Sequence, residues 1–362
     1  MKKVLILANS SEGLYDFRRE LIEELLKEYQ VYISVPDQIT VEKLAEAGCQ
    51  MIHTEMNRRG MNPFQDIGLF LAYRRLMREI QPDCILTYTI KPNIYGGLAA
   101  GEKGISYLPT ITGLGTTFQR KGLVNRLVKL LYRIAFKKAQ VVFFQNRRNQ
   151  AIFEENHLLT GKTRAVAGSG VNLVSHPAEP YPGRDNPRFL FVGRLMKEKG
   201  IEEFLEAARA YANRAEFVII GDYEEDYHRQ IEEAAGAALL NYYGPQRDVH
   251  TFYRDADAVI VASYHEGMSN VALEAAATAR PVLATDIHGC REAVEDKITG
   301  LLFAPRSGQA LQEAVEAFLR LPIERREAMG KAARAKMERE FDRCQVAAAY
   351  LEEIKQAVDT AE

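Results

Sequence analysis

Short apolar runs alternate along this chain with stretches whose apolar residues recur at helical spacing, and the alternation persists from end to end. In the first half, residues 4–8 read as a buried strand and 16–28 as a helix with Phe17, Leu21, Leu25 and Leu26 on one face. Residues 31–35 form a second strand stopped by Pro36. A helix at 38–47, a strand at 49–53 and a long helix at 67–80 ending before Pro82 follow. Strands at 84–88, 107–111 and 141–145 come next, separated by helical sequence, and Val166 closes the half. A second alternation begins at 189–192 and continues through a helix at 201–212, a strand at 217–220 and a helix at 226–235. It proceeds through strands at 239–243, 258–262 and 281–284, with helices at 249–254 and 271–279 between them. Helices at 311–319, 324–340 and 344–358 finish the chain. Strands alternating with helices in this way predict parallel α/β domains, and such sheets bind ligands at the carboxyl ends of their strands.

Between the two alternations lies GSGVNLVSHPAEPYPGRDNP, rich in proline and glycine and without a period, which reads as a linker. The expected organisation is a first domain at 1–168, a linker at 169–187, a second domain at 188–343, and a closing helix at 344–362 that crosses back to the first domain. A chain of 362 residues suits two cores of that size. Two open parallel sheets facing each other would make a cleft, so the loops after the strands are where chemistry is expected.

Composition narrows the class. Apolar residues make up 47% and charged residues 27%, as in ordinary soluble proteins, and no apolar run approaches the ~18 residues of a spanning helix. The opening MKKVLILANSSEG is a first strand, because its apolar run is too short for a secretion signal and polar residues follow at once. Cys49, Cys84, Cys290 and Cys344 are far apart and form no C-x-x-C pair, which fits a reducing, cytoplasmic setting. The histidines show no metal-binding spacing, so no metal site is expected. Charge is split: the first 170 residues hold 24 basic against 16 acidic side chains, and the remainder 23 against 33. The first half is therefore the part suited to an anionic partner. Nucleic acid is disfavoured by the net charge of −2 and by the lack of a recognition motif.

Two loops of the second half carry the chemistry. In V192-G-R-L-M-K-E-K-G200, Gly193 permits close backbone approach and Gly200 opens a helix whose first amides are unbonded. Arg194 and Lys199 add two cations there, a set that matches a diphosphate. A solvated basic turn is the plain alternative. In S263-Y-H-E-G-M-S-N-V-A-L-E274, Ser269 and Asn270 are good helix caps, with Glu274 in the following helix and Glu266 in the loop above. The helix dipole alone would explain Glu274, but it leaves Glu266-Gly267 unexplained. Carboxylates accept hydrogen bonds from sugar hydroxyls, while helix amides take phosphate.

These two loops, in this order, resemble the retaining GT-B glycosyltransferases of family 4 with their E-x7-E motif. The residues that carry the resemblance are G-R-L-x-x-x-K-G followed by E-G-x-x-N-V-x-L-E-A, with Ile219-Ile220-Gly221-Asp222, Gly244, Gly289 and the closing helix 341–350 in support. The resemblance implies an α/β fold of two Rossmann-like domains facing across a cleft. It implies that Arg194 and Lys199 bind the donor diphosphate, Glu266 reaches the transferred sugar and Glu274 the ribose. The amides at Ser269, Asn270 and Val271 would take phosphate, and Gly193 would line the same site. Tyr243 and Gly244 would border the base. In the first half, T87-Y-T-I-K-P-N-I-Y-G96 and P109-T-I-T-G-L-G115 are similar to a subgroup that builds bacterial surface glycans on polyprenyl-diphosphate carriers, including N-acetylgalactosaminyltransferases. Acceptor-side candidates are Gly13, Lys91, Thr112 and Gly113. Many members carry a histidine where this chain has Thr112, so no such histidine is carried over. Lys91 either takes part of its role or is a surface lysine.

Residues 117–139 hold Arg120, Lys121, Arg126, Lys129, Arg133, Lys137 and Lys138 with no acid, and Leu123, Leu127, Leu130, Leu131, Ile134 and Phe136 interleave at helical spacing. Arg58, Arg59, Arg74, Arg75 and Arg78 add to the basic half. Basic amphipathic helices lie on anionic membranes, which predicts peripheral association with the inner face of the plasma membrane. A helix packed on the sheet with a solvated basic face is the alternative. The expected reaction moves a sugar from a UDP-sugar to a lipid-diphosphate-linked saccharide, with no cofactor and no essential metal, since neither donor-site loop carries a D-x-D motif. A family-4 enzyme with a soluble acceptor and a UDP-sugar 2-epimerase are the competing readings. A non-catalytic sugar-binding protein would lack the Glu266/Glu274 pair.

Overall fold

The computed structural model describes residues 1–57, 60, 62–114 and 122–359. The chain forms two compact units, Met1–Ser169 with Arg343–Glu362, and Gly170–Asp342.

The first unit is built on a parallel sheet of β1 (Lys3–Leu7), β2 (Gln30–Val35), β3 (Gln50–His53), β4 (Cys84–Tyr88), β5 (Ser106–Ile111), β6 (Val141–Phe144) and β7 (Lys162–Ala165), in the order β3-β2-β1-β4-β5-β6-β7. Strands β4 and β6 are buried along their whole length, which is why β6 reads as an unbroken apolar run and β4 as one broken only by Thr87. Strand β7 has the sequence KTRA and no apolar run to announce it. It pairs with β6 at the sheet edge, and Lys162 and Arg164 each reach the buried carboxylate of Glu353 at 2.8 Å. The helices begin earlier than apolar spacing alone suggests, because polar caps set their starts. Ser10 accepts from the Gly13 amide to open Ser11–Glu28, and Asn62 caps Pro63–Ile80, which has proline in its first turn.

The expected helix at 117–139 is Leu123–Phe136, beginning after Gly122; Thr117, Arg120, Lys121 and the rest of 117–121 lie outside the described residues, as do Arg58 and Arg59. Its Tyr132, Ala135 and Phe136 are buried, whereas Leu123, Leu127, Leu130 and Ile134 are exposed. The final helix, Arg343–Asp359, belongs to this first core. Tyr350 stacks on Phe143 with ring centroids 4.0 Å apart, and its hydroxyl lies 3.0 Å from that of Thr110.

The second unit holds β8 (Arg188–Val192), β9 (Glu216–Ile220), β10 (Asn241–Tyr242), β11 (Ala258–Val261), β12 (Val282–Thr285) and β13 (Gly300–Phe303), all parallel, in the order β10-β9-β8-β11-β12-β13. The short β13 carries too little pattern to be anticipated from sequence. The proline-rich stretch is not a loose tether. The Val171 amide donates to Phe341, and Arg334 donates to the His176 carbonyl. The fully buried Arg280 guanidinium donates to the carbonyls of Glu179, Pro180, Tyr253 and Arg254. Composition reports the lack of helix and strand there, whereas long-range donors decide whether the backbone is held.

Each sheet reverses its direction of growth beside its first strand, between β1 and β4 in one unit and between β8 and β11 in the other. Crevices form at the carboxyl ends of strands at such reversals. The loops that leave β1, β4, β8 and β11 are those that carry Gly13, Lys91, Arg194 with Lys199, and Glu266 respectively.

Candidate active site

Glycines stack the loops of the second unit closely. Gly193, at φ 148°, follows β8 and donates its amide to Ile220. A Cβ on Gly221 would overlap the Gly193 carbonyl, and Gly221 in turn donates to Gly244, which has φ 67°. Three consecutive strand ends therefore meet backbone to backbone. Beyond Gly193 the chain makes a short turn at Lys197–Lys199 and enters helix Ile201–Tyr211 through Gly200, whose φ is 77°. A side chain at Gly200 would overlap the carbonyl of Ala262 at the end of β11, so the two chemical loops are pressed together there.

The result is an ion pair that neither loop reveals alone. Lys199 Nζ lies 2.5 Å from Glu266 Oε1, with the side chains only 27% and 16% exposed. The Ser263 hydroxyl donates to the same oxygen at 2.8 Å, and Thr285 donates to the Ser263 carbonyl at 2.6 Å. Gly289 underlies this loop: its Cβ would come within 2.6 Å of the Glu266 carbonyl, and its own carbonyl accepts from Ser269. Ser269 then caps helix Asn270–Ala277 by accepting from Ala272, leaving the first-turn amides of Asn270 and Val271 without acceptors inside the helix.

Glu274 sits one turn further on, and its Oε2 accepts from the Tyr253 hydroxyl at 2.9 Å. Burial, and then the adjacent Glu274 carboxylate, push the Tyr253 phenol well above its ordinary value, so it remains a donor. Tyr253 was not anticipated. In sequence it is one aromatic residue in the short helix His250–Asp255, and only the fold brings it to Glu274. Arg194 is half-exposed and its guanidinium lies 3.4 Å from Glu224. Tyr243 is exposed at the end of β10, edge-on to Phe252.

In the first unit Gly13 lies in the opening turn after β1, and Thr112 and Gly113 follow β5. Lys91 is no surface lysine. Only 15% of its side chain is exposed, and its Nζ is held 2.6 Å from Asp66 Oδ1. Several cations of the basic segment are tied to nearby backbone and side chains. Lys129 bonds Asn156 Oδ1, Arg133 donates to the carbonyls of Asn156 and His157, and Lys138 donates to Gly101. Among the described residues no group of three His, Cys, Asp or Glu is placed to hold a metal ion. None of the described helices is long and apolar enough to cross a membrane.

Residues 178–336 match the family model "Glycosyl transferases group 1", and residues 3–146 match "Glycosyl transferase 4-like". A glycosyltransferase from Rickettsia africae shares the fold with a TM-score of 0.80 at 20% identity, over 99% of each chain. This chain is a GT-B glycosyltransferase. The glycosyltransferase is also similar in fold to Anabaena HepE in complex with UDP and glucose, with a TM-score of 0.81 and 16% identity over 98% of this chain and 100% of that one. In sequence it is 26% identical, over 88% of its length and 89% of the relative's, to the N,N'-diacetylbacillosaminyl-diphospho-undecaprenol alpha-1,3-N-acetylgalactosaminyltransferase of Campylobacter jejuni. The two halves of the glycosyltransferase match separate models, in keeping with its two sheets.

Proposed function

We propose that this glycosyltransferase moves a sugar from a UDP-sugar to a polyprenyl-diphosphate-linked saccharide, retaining anomeric configuration, in the assembly of a surface glycan. An N-acetylhexosamine is the candidate sugar. The observation that carries the reading is the Lys199–Glu266 pair set beside Ser269, Asn270 and Val271 at a helix N-terminus. One cation, unbonded helix amides and a carboxylate accepting hydroxyl hydrogen bonds suit a diphosphate joined to a polyol.

Cleavage of the anomeric bond leaves negative charge on the departing diphosphate. Lys199, Arg194 and the amides of Asn270 and Val271 stabilise that charge from fixed positions. Incoming phosphate draws Lys199 from Glu266, and the freed carboxylate takes a hydroxyl of the transferred sugar. Glu274, oriented by Tyr253, accepts from the ribose, while Tyr243 and Gly244 border the base and Gly193 lets the backbone approach. These groups supply the charge that a metal ion would otherwise bring, and no cofactor is needed. On the acceptor side the reading rests on Gly13, Lys91, Thr112 and Gly113 at strand ends, and on a Campylobacter relative whose substrate is a diphospho-undecaprenol. The exposed Leu123, Leu127, Leu130 and Ile134 beside Arg126 and Lys137 would seat the protein on the inner face of the plasma membrane.

A panel of nucleotide sugars is assayed with lipid-diphosphate-linked acceptors, and the product linkage is read by NMR. The reading expects an α-linked product from an α-configured UDP-sugar. Free sugar released from donor alone would establish an epimerase instead, and turnover only on soluble sugar phosphates would remove the lipid acceptor. Absence of binding to anionic vesicles at low salt would remove the membrane association.

A further inference from the structure

Two cavities open on the first unit, on either side of one turn of helix Pro63–Ile80. One, of about 820 Å³, lies beyond the ends of β2 and β3 and is walled by His53, Asn57, Gln65, Asp66, Arg75 and Lys91 among others. Charges of both signs and amide groups share this lining with Met56, Leu69, Ala72 and Leu76, a mixed surface that offers partners to saccharide hydroxyls and apolar contact to sugar ring faces. The other, of about 590 Å³, is walled by Ile67, Phe70, Tyr95, Leu98 and Ile134, with Lys137 and Lys138 at its rim. Its apolar side chains are not hidden packing, for Ile67 is 57% and Ile134 50% exposed.

Consecutive residues line the two cavities, Asp66 the mixed one and Ile67 the apolar one. The Asp66 carboxylate takes the Lys91 ammonium at 2.6 Å. Burial, and then the Asp66 carboxylate, push up the phenol of Tyr95, a wall of the apolar cavity. Helix Pro63–Ile80 therefore contributes to both linings, with the Asp66–Lys91 pair on the side of the mixed cavity and Ile67 and Phe70 on the side of the apolar one.

Two glycines face the apolar cavity for different reasons. A Cβ on Gly97 would strike the Tyr107 ring, so packing forces that glycine. A Cβ on Gly101 would meet only the Lys138 side chain at 3.6 Å, an ordinary contact. Glycine inside a helix is destabilising, and here packing does not require it; its effect is to keep the groove open. At the rim Glu102 is engaged by Arg74 at 2.8 Å, so Lys137 and Lys138 leave the groove mouth positive.

We propose that the two cavities form one bipartite site for an anionic amphiphile. The saccharide of a lipid-diphosphate-linked sugar occupies the mixed cavity, its diphosphate draws Lys91 from Asp66, and the first isoprenoid units fill the groove along Leu98 and Gly101. The proposal rests on the lipid-linked acceptor of the preceding section and adds where the chain is read and which residues read it.

The test uses the full chain in buffer free of detergent and vesicles. Two acceptors carry the same saccharide diphosphate, one esterified with a ten-carbon isoprenoid and one with methyl. The wild type is expected to show a KM at least tenfold lower for the isoprenoid ester, and Gly101→Leu, which fills the groove, to bring that ratio within twofold. Calorimetric titration with geranyl diphosphate gives a second reading, with affinity expected to fall at least tenfold in Gly101→Leu and in Leu98→Asp. Thermal midpoints confirm that the variants are folded. A KM ratio and geranyl diphosphate affinity unchanged in Gly101→Leu overturn the groove, as does a chain-length gain that appears only when vesicles are added. Transfer to neither ester, with geranyl diphosphate still bound and the binding lost in the variants, overturns the acceptor reading while upholding the groove.

Discussion

Replacing Lys199 with methionine separates catalysis from packing at the proposed donor site. The methionine keeps most of the aliphatic stem and removes the ammonium that lies 2.5 Å from Glu266. Glu266 would retain the Ser263 hydroxyl at 2.8 Å but lose its cation. A fully buried pair broken on one side costs about 3–5 kcal/mol, and an exposed pair about 0–1 kcal/mol. At 27% and 16% exposure this pair is partly screened, so a loss of about 1–2 kcal/mol is expected. Against a domain stability of about 5–15 kcal/mol the variant stays folded. Turnover has a different scale, because removing one preorganised group from developing charge costs about 2.7–4 kcal/mol, or roughly 10²–10³ in kcat. Lys197→Met is the control: Lys197 is 60% exposed and pairs with Glu202, so its loss should change kcat by less than about fivefold. Product formation by chromatography and urea unfolding are measured on the same preparations. If Lys199→Met retains kcat within threefold of wild type while losing stability, Lys199 serves only to hold Glu266, and the assignment to the diphosphate is refuted.

Gly289→Ala places a Cβ 2.6 Å from the Glu266 carbonyl, so the loop must shift; a stability loss of about 1–3 kcal/mol together with reduced kcat is expected from thermal melts and initial rates. Arg280→Met strips donors from the carbonyls of Glu179, Pro180, Tyr253 and Arg254. A loss of about 3–5 kcal/mol is expected in denaturant titration, and an effect below about 1 kcal/mol would mean that the proline-rich stretch is held by other means. Burial raises the Cys49 thiol to about 11 and the Cys290 thiol to about 12, and moves Cys84 upward too, so near pH 8 iodoacetamide should label exposed Cys344 and spare these three, as peptide mass mapping would show. With protein cations and helix amides proposed to face the leaving diphosphate, transfer should keep at least half its rate in excess EDTA; a loss restored by added Mg²⁺ or Mn²⁺ would overturn the metal-independent reading.

The kind of chain and the location of its loops are legible in the amino-acid order. Strands such as VVFF at Val141–Phe144 and AVIV at Ala258–Val261 are legible because helices cover both sheet faces, so every position must be apolar. The glycine-bearing loops after β8 and β11 are legible because the two together, in that order and spacing, resemble a known family, although the first alone reads equally well as a basic turn. Tertiary structure decided what such local signals do not encode. Edge strand β7 owes its place to Glu353, nearly two hundred positions away, and the proline-rich stretch owes its order to the Arg280 guanidinium. Lys91 could be read as a surface lysine until Asp66 was found beside it, and Glu274 as a helix-dipole residue until Tyr253 was found donating to it. Which carboxylate meets which cation depends on side chains brought within about 3 Å by packing, and hydrophobic period, turn chemistry and net charge carry no information at that range. The two loops could be named from sequence. That Lys199 and Glu266 neutralise each other across them follows from the close approach of Gly200 to the Ala262 carbonyl.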